Sequence, residues 1–309
     1  MAALAVSDER ALALGRATFA LDAVLSSYAQ VLFSKSRWVG ALLMAATAMV
    51  PRMFVAGLLG VAVALLSARA IGLSHELIRG GVFGYNALLV ALGGAALVQT
   101  TPMGAGVVLV AVVGSVLVTA ALHSALGYHF GLPSLTLPFL AVFYVLVGVA
   151  PLADVPLRSL AVDPFAAQLP ELVRSTLQCL GGLFFLPRVD AGLFVATALV
   201  CHSRIAAMLG LGAFGVVVAL GKHIFVLADP VLATALAANC ALVGIGLGGV
   251  WFVPSRASFG LALGGVMLCT ACTLGMLPWL YQLGLPLVIL PFNLTMVLVL
   301  YAMRQRMRD

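Results

Sequence analysis

The sequence predicts an all-α polytopic membrane protein assembled from two similar halves. Three observations carry that prediction. The first is composition: 63% of the 309 residues are hydrophobic and 8% are charged. An ordinary soluble domain is about 45–50% apolar and about 25% charged. The second is a mean hydropathy of +1.19, spread over successive apolar segments rather than gathered in one. The third is that landmarks of the first half return in the same order in the second. A soluble fold needs a polar exterior that this composition does not supply. It excludes a soluble enzyme, a disordered chain and a nucleic-acid-binding module.

The elements follow in order. The stretch 10–34 mixes Arg16, Asp22 and Gln30 with apolar residues. That suits an amphipathic interfacial helix leading into a tilted pore helix. Apolar segments follow at 38–50, 53–68, 82–99, 104–125 and 136–153. A more polar bridge, 154–174, carries Asp154, Arg158, Asp163, Gln168, Glu171 and Arg174. Apolar segments resume at 176–187, 190–200, 203–220, 222–252, 256–278 and 285–303, with 222–252 long enough for more than one element. A span needs ~20 apolar residues to cross ~30 Å of hydrocarbon. The shorter segments therefore read as half-helices, or as helices broken at Pro51, Pro187 and Pro254. The bridge divides the chain into a first unit, 1–153, and a second, 154–309.

Three pairs of landmarks mark the repeat. Gln30 in Tyr28-Ala29-Gln30-Val31-Leu32 pairs with Gln178 in Thr176-Leu177-Gln178-Cys179-Leu180. Asn86-Ala87-Leu88-Leu89 pairs with Asn239-Cys240-Ala241-Leu242. Gly131-Leu132-Pro133-Ser134-Leu135-Thr136-Leu137-Pro138-Phe139 returns as Gly284-Leu285-Pro286-Leu287-Val288-Ile289-Leu290-Pro291-Phe292. Duplicated halves are a signature of transporters and channels. If each half holds an odd number of spans, the second is inverted relative to the first, and a pore lies at their interface.

The net charge of +6 reads as topology, because Lys and Arg flank spans on the cytoplasmic side. Arg10, Arg16 and the basic run Arg304-Gln305-Arg306-Met307-Arg308 place both termini in the cytoplasm, which requires an even number of spans. No basic n-region precedes an apolar core at the N-terminus, so no cleavable signal peptide is expected. The five cysteines, Cys179, Cys201, Cys240, Cys269 and Cys272, all fall in apolar stretches and read as small buried hydrophobes.

The proline repeat carries the chemistry. Pro133 and Pro138 cannot donate backbone hydrogen bonds, so helix is interrupted there. A single copy reads equally well as a helix-start signal. Two copies in matching places favour a break that faces a watery path, where free carbonyls and the Thr136 hydroxyl offer acceptors. Gln30 and Gln178 each bring an amide that donates and accepts. Helix packing explains such amides too, but matching positions favour the pore. Gly244-Ile245-Gly246-Leu247-Gly248-Gly249 satisfies G-x-G-x-x-G without its strand–helix context, and close helix packing accounts for it. Asn293-Leu294-Thr295 is a formal glycosylation sequon inside an apolar segment, where it is not expected to be used. His75, His123, His129, His202 and His223 form no metal motif. Asp22, Glu76, Arg79, Asp190, Arg204 and Lys222 fall near segment ends. Intramembrane charge is therefore scarce, which suits a neutral solute moving down its gradient rather than a coupled pump.

The segment Leu132 to Phe139 resembles the L-P-x-x-T-x-P-F signature of the bacterial and animal urea transporter family. Gly84-Tyr85-Asn86-Ala87-Leu88-Leu89-Val90 is similar to that family's G-[aromatic]-N-x-x-L-V stretch. Tyr28-Ala29-Gln30-Val31-Leu32-Phe33 resembles its G-x-G-Q-V-x-F element. With the repeat landmarks, the resemblance covers roughly 15–305.

The resemblance implies two inverted five-helix repeats, each with a tilted pore half-helix, and about ten transmembrane spans. It implies a homotrimer in the inner membrane with one pore per protomer. Urea passes in single file through a slot of apolar and aromatic side chains edged by oxygen acceptors. Carried over by position, Gln30, Val31 and Phe33 match the first filter element, Tyr85 and Leu89 the slot, and Thr136 the central hydroxyl. In the second half Gln178 and Cys179 match Gln30 and Val31, Leu242 matches Leu89, and Ile289 stands in place of Thr136. Ala238 stands opposite Tyr85 and Gly181 opposite Phe33, so the second half of the slot is expected to be wider and less polar. The expected partners are urea and the lipid bilayer, with no nucleic acid, no cofactor, no metal and no enzyme activity. Two alternatives stay open: a channel for another small neutral solute such as acetamide, formamide or ammonia, and a non-conducting membrane scaffold or sensor.

Overall fold

The computed structural model describes residues 2–153, 169–223 and 230–306. The residues that follow the boundary expected at 153/154, most of the polar bridge and Arg308 lie outside the described residues. The described chain is helical. Its helices are α1 (Ala2–Gln30), α2 (Arg37–Ala48), α3 (Pro51–Ala70), α4 (His75–Arg79), α5 (Gly84–Leu97), α6 (Pro102–Ala125) and α7 (Leu137–Leu152). They continue as α8 (Glu171–Gly182), α9 (Val189–His202), α10 (Arg204–His223), α11 (Pro230–Ile245), α12 (Arg256–Gln282) and α13 (Leu290–Arg306). Single π-turns at Leu126–Phe130 and Gly246–Val250 extend α6 and α11.

Local chemistry sets the helix ends. Pro51 and Pro102 sit in the first turns of α3 and α6, where a missing N–H costs nothing. The Thr101 hydroxyl accepts the Gly104 N–H at 3.0 Å and caps α6. Ser255 and Ser258 form a capping box at the start of α12. Of the breaks expected at Pro51, Pro187 and Pro254, the last two fall between helices, and Pro51 opens α3 directly after the break that ends α2.

Among the described residues, 4 helices are long and apolar enough to cross a membrane: Pro51–Ala70, Pro102–Phe130, Leu232–Val250 and Arg256–Gln282. Shorter apolar helices include α2, α5, α7 and α9. Outward faces carry exposed apolar side chains such as Leu66, Val110, Met208 and Leu298. That is the arrangement a lipid-facing surface requires.

Backbone and packing recur between the halves. Phe33 and Phe185, 152 positions apart, both hold a left-handed backbone, at φ 59° and 58°. The turns around them repeat bond for bond: Ser34 N–H to Ala29 O at 3.1 Å, and Leu186 N–H to Gly181 O at 3.1 Å. A Cβ on Gly40 would collide with the Leu25 carbonyl, and one on Gly192 with the Leu177 carbonyl. The α1–α2 and α8–α9 crossings thus need glycine for the same reason. Gly131 and Gly284 are both left-handed, at φ 57° and 65°. Each turns the chain into the proline segment that starts α7 or α13.

This geometry moves one pairing. The sequence reading set Gln178 opposite Gln30 and Gly181 opposite Phe33. The backbone sets Gly182 opposite Gln30, Leu183 opposite Val31 and Phe185 opposite Phe33. The shift is one helical turn. Two other expectations change. Asp22 does not sit at a segment end; it lies inside α1 and is buried. Cys179, Cys240 and Cys269 are buried as expected, whereas Cys201 is exposed. The glycine run in α11 does serve packing: a Cβ on Gly248 would press against Leu209.

Candidate functional site

The proline breaks leave backbone N–H groups at the starts of α7 and α13 without intrahelical acceptors. Asparagines on α5 and α11 take up one in each half. Asn86 Oδ1 accepts the Phe139 N–H at 3.2 Å, and Asn239 Oδ1 accepts the Phe292 N–H at 2.9 Å. The Asn239 amide nitrogen also donates to the Val288 and Ala235 carbonyls, at 2.7 and 2.8 Å. In the first half the hydroxyl of Tyr85 donates to the Leu135 carbonyl, the counterpart of Val288. These bonds hold each break open in a defined shape.

The halves interlock through aromatic rings. Phe33 of the first half lies 6.1 Å from Phe292 of the second. Reciprocally, Phe185 of the second half lies 6.0 Å from Phe139 of the first. Trp251 closes the first pair edge-on, 4.9 Å from Phe33.

Two cavities lie against these breaks. The smaller, about 180 Å³, is lined by Gln30, Val31, Phe33, Tyr85, Ser134, Leu135 and Thr136, with Phe292 from the other half. The larger, about 470 Å³, is lined by their counterparts Gly182, Leu183, Phe185, Ala238, Leu287, Val288 and Ile289, with Phe139. The two spaces share Leu89, Leu183 and Ile289, so they lie back to back across a neck of aliphatic side chains. Their difference follows from the residues. Gly182 replaces an amide, Ala238 a phenol, and Leu287 and Ile289 replace hydroxyls. The second cavity is larger, but it is not less polar as the sequence suggests, because Gln178, Thr234, Asn239 and Tyr281 also line it.

Of the residues picked from the sequence, Gln30, Val31, Phe33, Tyr85, Leu89, Thr136, Leu242 and Ile289 line the smaller cavity. Gln178 lines the larger. Cys179 lines neither and is buried. Sequence reasoning missed Leu183, Phe139 and Phe292, and it missed Asn293, whose amide nitrogen donates to the Thr136 hydroxyl at 2.7 Å.

A charged cluster supports the smaller cavity from outside. Asp22 lies 2.7 Å from both Arg37 and Arg79. Arg79 ends α4, and the next carbonyl, of Gly80, accepts the Gln30 amide at 3.1 Å. Asp22 and Gln30 share α1, so the ion pairs and the amide bond hold α4 to the same helix. Among the described residues no three His, Cys, Asp or Glu side chains gather as a metal site.

The two cavities offer aromatic and aliphatic walls and a few fixed acceptors; among the described residues no Asp, Glu, Lys or Arg lines either, while the His123 imidazole lines the smaller. A family model described as urea transporter matches residues 21–304. No curated protein matches the chain.

Proposed function

The chain belongs to the urea transporter family, and from that premise we propose that urea crosses through the two cavities, passing the neck at Leu89, Leu183 and Ile289 in single file. The observation that carries this reading is the pairing of the cavities. Corresponding backbone positions of the two halves line the two cavities, which suits a path that crosses a pseudo-twofold axis lying in the membrane plane. Urea is planar and neutral, with N–H donors on both nitrogens and one carbonyl acceptor. Flat aromatic and aliphatic walls fit its faces. The Thr136 hydroxyl and the Leu135 carbonyl fit its edge. Fixed polar groups replace part of its hydration without holding it, as in other selectivity filters.

The reading extends to the assembly. Two inverted five-helix repeats, divided near 153/154, give about ten spans, with α1 and α8 leading into the breaks. Three copies associate in the inner membrane, each with its own path, and both termini face the cytoplasm. Transport needs no ion gradient, because among the described residues no Asp, Glu, Lys or Arg lines either cavity and His123 is the one imidazole there.

Proteoliposomes test the proposal. Urea efflux faster than in protein-free vesicles, and unchanged when proton and sodium gradients are collapsed, is the expected result. Efflux equal to that of empty vesicles rejects it. The larger volume of the second cavity favours a second reading, in which a bulkier amide such as acetamide is the better solute. The same assay with that solute separates the two.

A further inference from the structure

Ile289 lacks the hydroxyl that Thr136 carries at the corresponding place. Behind the neck, one turn along α13, stands Asn293. It is fully buried and lines neither cavity. Its Oδ1 accepts the Thr136 backbone N–H at 3.1 Å. Its Nδ2 donates to the Thr136 Oγ1 at 2.7 Å and to the Ile289 carbonyl at 2.7 Å. The first half has Leu140 at the matching position, so the arrangement occurs once.

The sense of these bonds is fixed by their partners. A backbone N–H only donates and a backbone carbonyl only accepts. The amide oxygen must face the Thr136 N–H, and the nitrogen must face the Ile289 carbonyl, which removes the flip ambiguity. Both amide hydrogens are then committed, one to Ile289 and one to the Thr136 hydroxyl. Toward Asn293 the hydroxyl is an acceptor. Its own hydrogen is left for another partner, and the space beside it is the smaller cavity.

We propose that Asn293 is a positioning residue that fixes the Thr136 hydroxyl as a hydrogen-bond donor toward the smaller cavity, so that the path selects solutes there by their acceptor atom. The proposal rests on the urea reading above and deepens it. A hydroxyl without such a clamp turns freely between giving and taking a hydrogen bond. A clamped one rewards a strong acceptor. Urea and thiourea carry the same N–H donors, but a carbonyl oxygen accepts better than a thiocarbonyl sulfur.

The test is stopped-flow flux of urea and thiourea in proteoliposomes holding the full chain, with protein-free vesicles as baseline. The wild-type protein is expected to favour urea over thiourea beyond the baseline ratio. Asn293→Leu lowers that ratio about fivefold, the worth of one hydrogen bond. Thr136→Val lowers it as far, and the double variant no further, since the two act as one unit. A fall in both fluxes by one factor, with the ratio unchanged, overturns the proposal, because a residue that only holds the fold acts in that way. If Asn293→Leu yields no folded protein, Asn293→Ala decides in its place. It removes the donor that holds the Thr136 hydroxyl and lowers the ratio; an unchanged ratio overturns the proposal. A wild-type protein without urea flux overturns the urea reading and this one together. Wild-type flux with an unchanged ratio in the variants overturns this one alone.

Discussion

The side chain of Asn86 accepts the backbone N–H of Phe139 at 3.2 Å, across 53 residues of chain. Asn239 does the same for Phe292 across another 53. Each asparagine satisfies a donor that the proline break has orphaned, and each is fully buried. Replacing either by leucine removes the acceptor and strands a buried N–H, at a cost of about 1–3 kcal/mol. Asn86→Leu and Asn239→Leu are each expected to lower the midpoint of thermal unfolding in detergent, followed by loss of the monodisperse peak. Midpoints equal to the wild type's would contradict this role.

The second cavity owes its width in part to Ala238, the counterpart of Tyr85. Ala238→Phe fills the space beside Val288 and Ile289. Acetamide flux is expected to fall more than urea flux, since the bulkier solute loses more room. An equal loss for both would mean that this cavity does not lie on the path.

Ile289 lines both cavities. Ile289→Thr places a second hydroxyl at the neck and shortens the side chain by one methyl group. Urea flux is expected to rise relative to acetamide flux. No change in that ratio would put residue 289 outside the selective part of the path.

Asp22 bridges two arginines that are themselves largely exposed, at 62% and 59% side-chain exposure, while its own side chain is 6% exposed. Losing one arginine leaves the carboxylate a partner; losing the carboxylate frees both. Asp22→Asn is therefore expected to reduce urea flux more than Arg37→Ala does, by loosening α4 and the Gly80 carbonyl that holds Gln30. Equal effects would show that the cluster is a surface feature without hold on the cavity, as exposed ion pairs often are.

Much of this was legible in the sequence for a local reason. Proline and glycine constrain the backbone wherever they stand, so the two Gly-Leu-Pro segments announced both breaks and their correspondence. Asn86 and Asn239 pair in the sequence because each sits a fixed distance before a break, and each accepts the backbone N–H of the phenylalanine that follows its proline. The pairing of α1 with α8 went wrong by one turn. Two glutamines drew the match, but the backbone requirement at that place is a left-handed residue, which Phe33 and Phe185 meet with no shared glutamine. Asn293 was read only as a formal sequon. Its role depends on Thr136, 157 residues away, and no spacing rule reaches that far. A signal was nonetheless present: the half that loses a hydroxyl at Ile289 gains an amide four residues later, where the other half has Leu140. Asp22 was placed at a segment end because composition marks charges, not the partners that bury them.

The central claim is that the paired cavities form one passive path for urea. Stopped-flow light scattering on proteoliposomes, with urea as the only permeant and no ion gradient, tests it most directly. The account predicts vesicle reswelling faster than in protein-free liposomes, slowed when Leu89→Trp blocks the neck shared by both cavities. Rates equal to those of protein-free liposomes, or a wild-type rate in the Leu89→Trp protein, would contradict it.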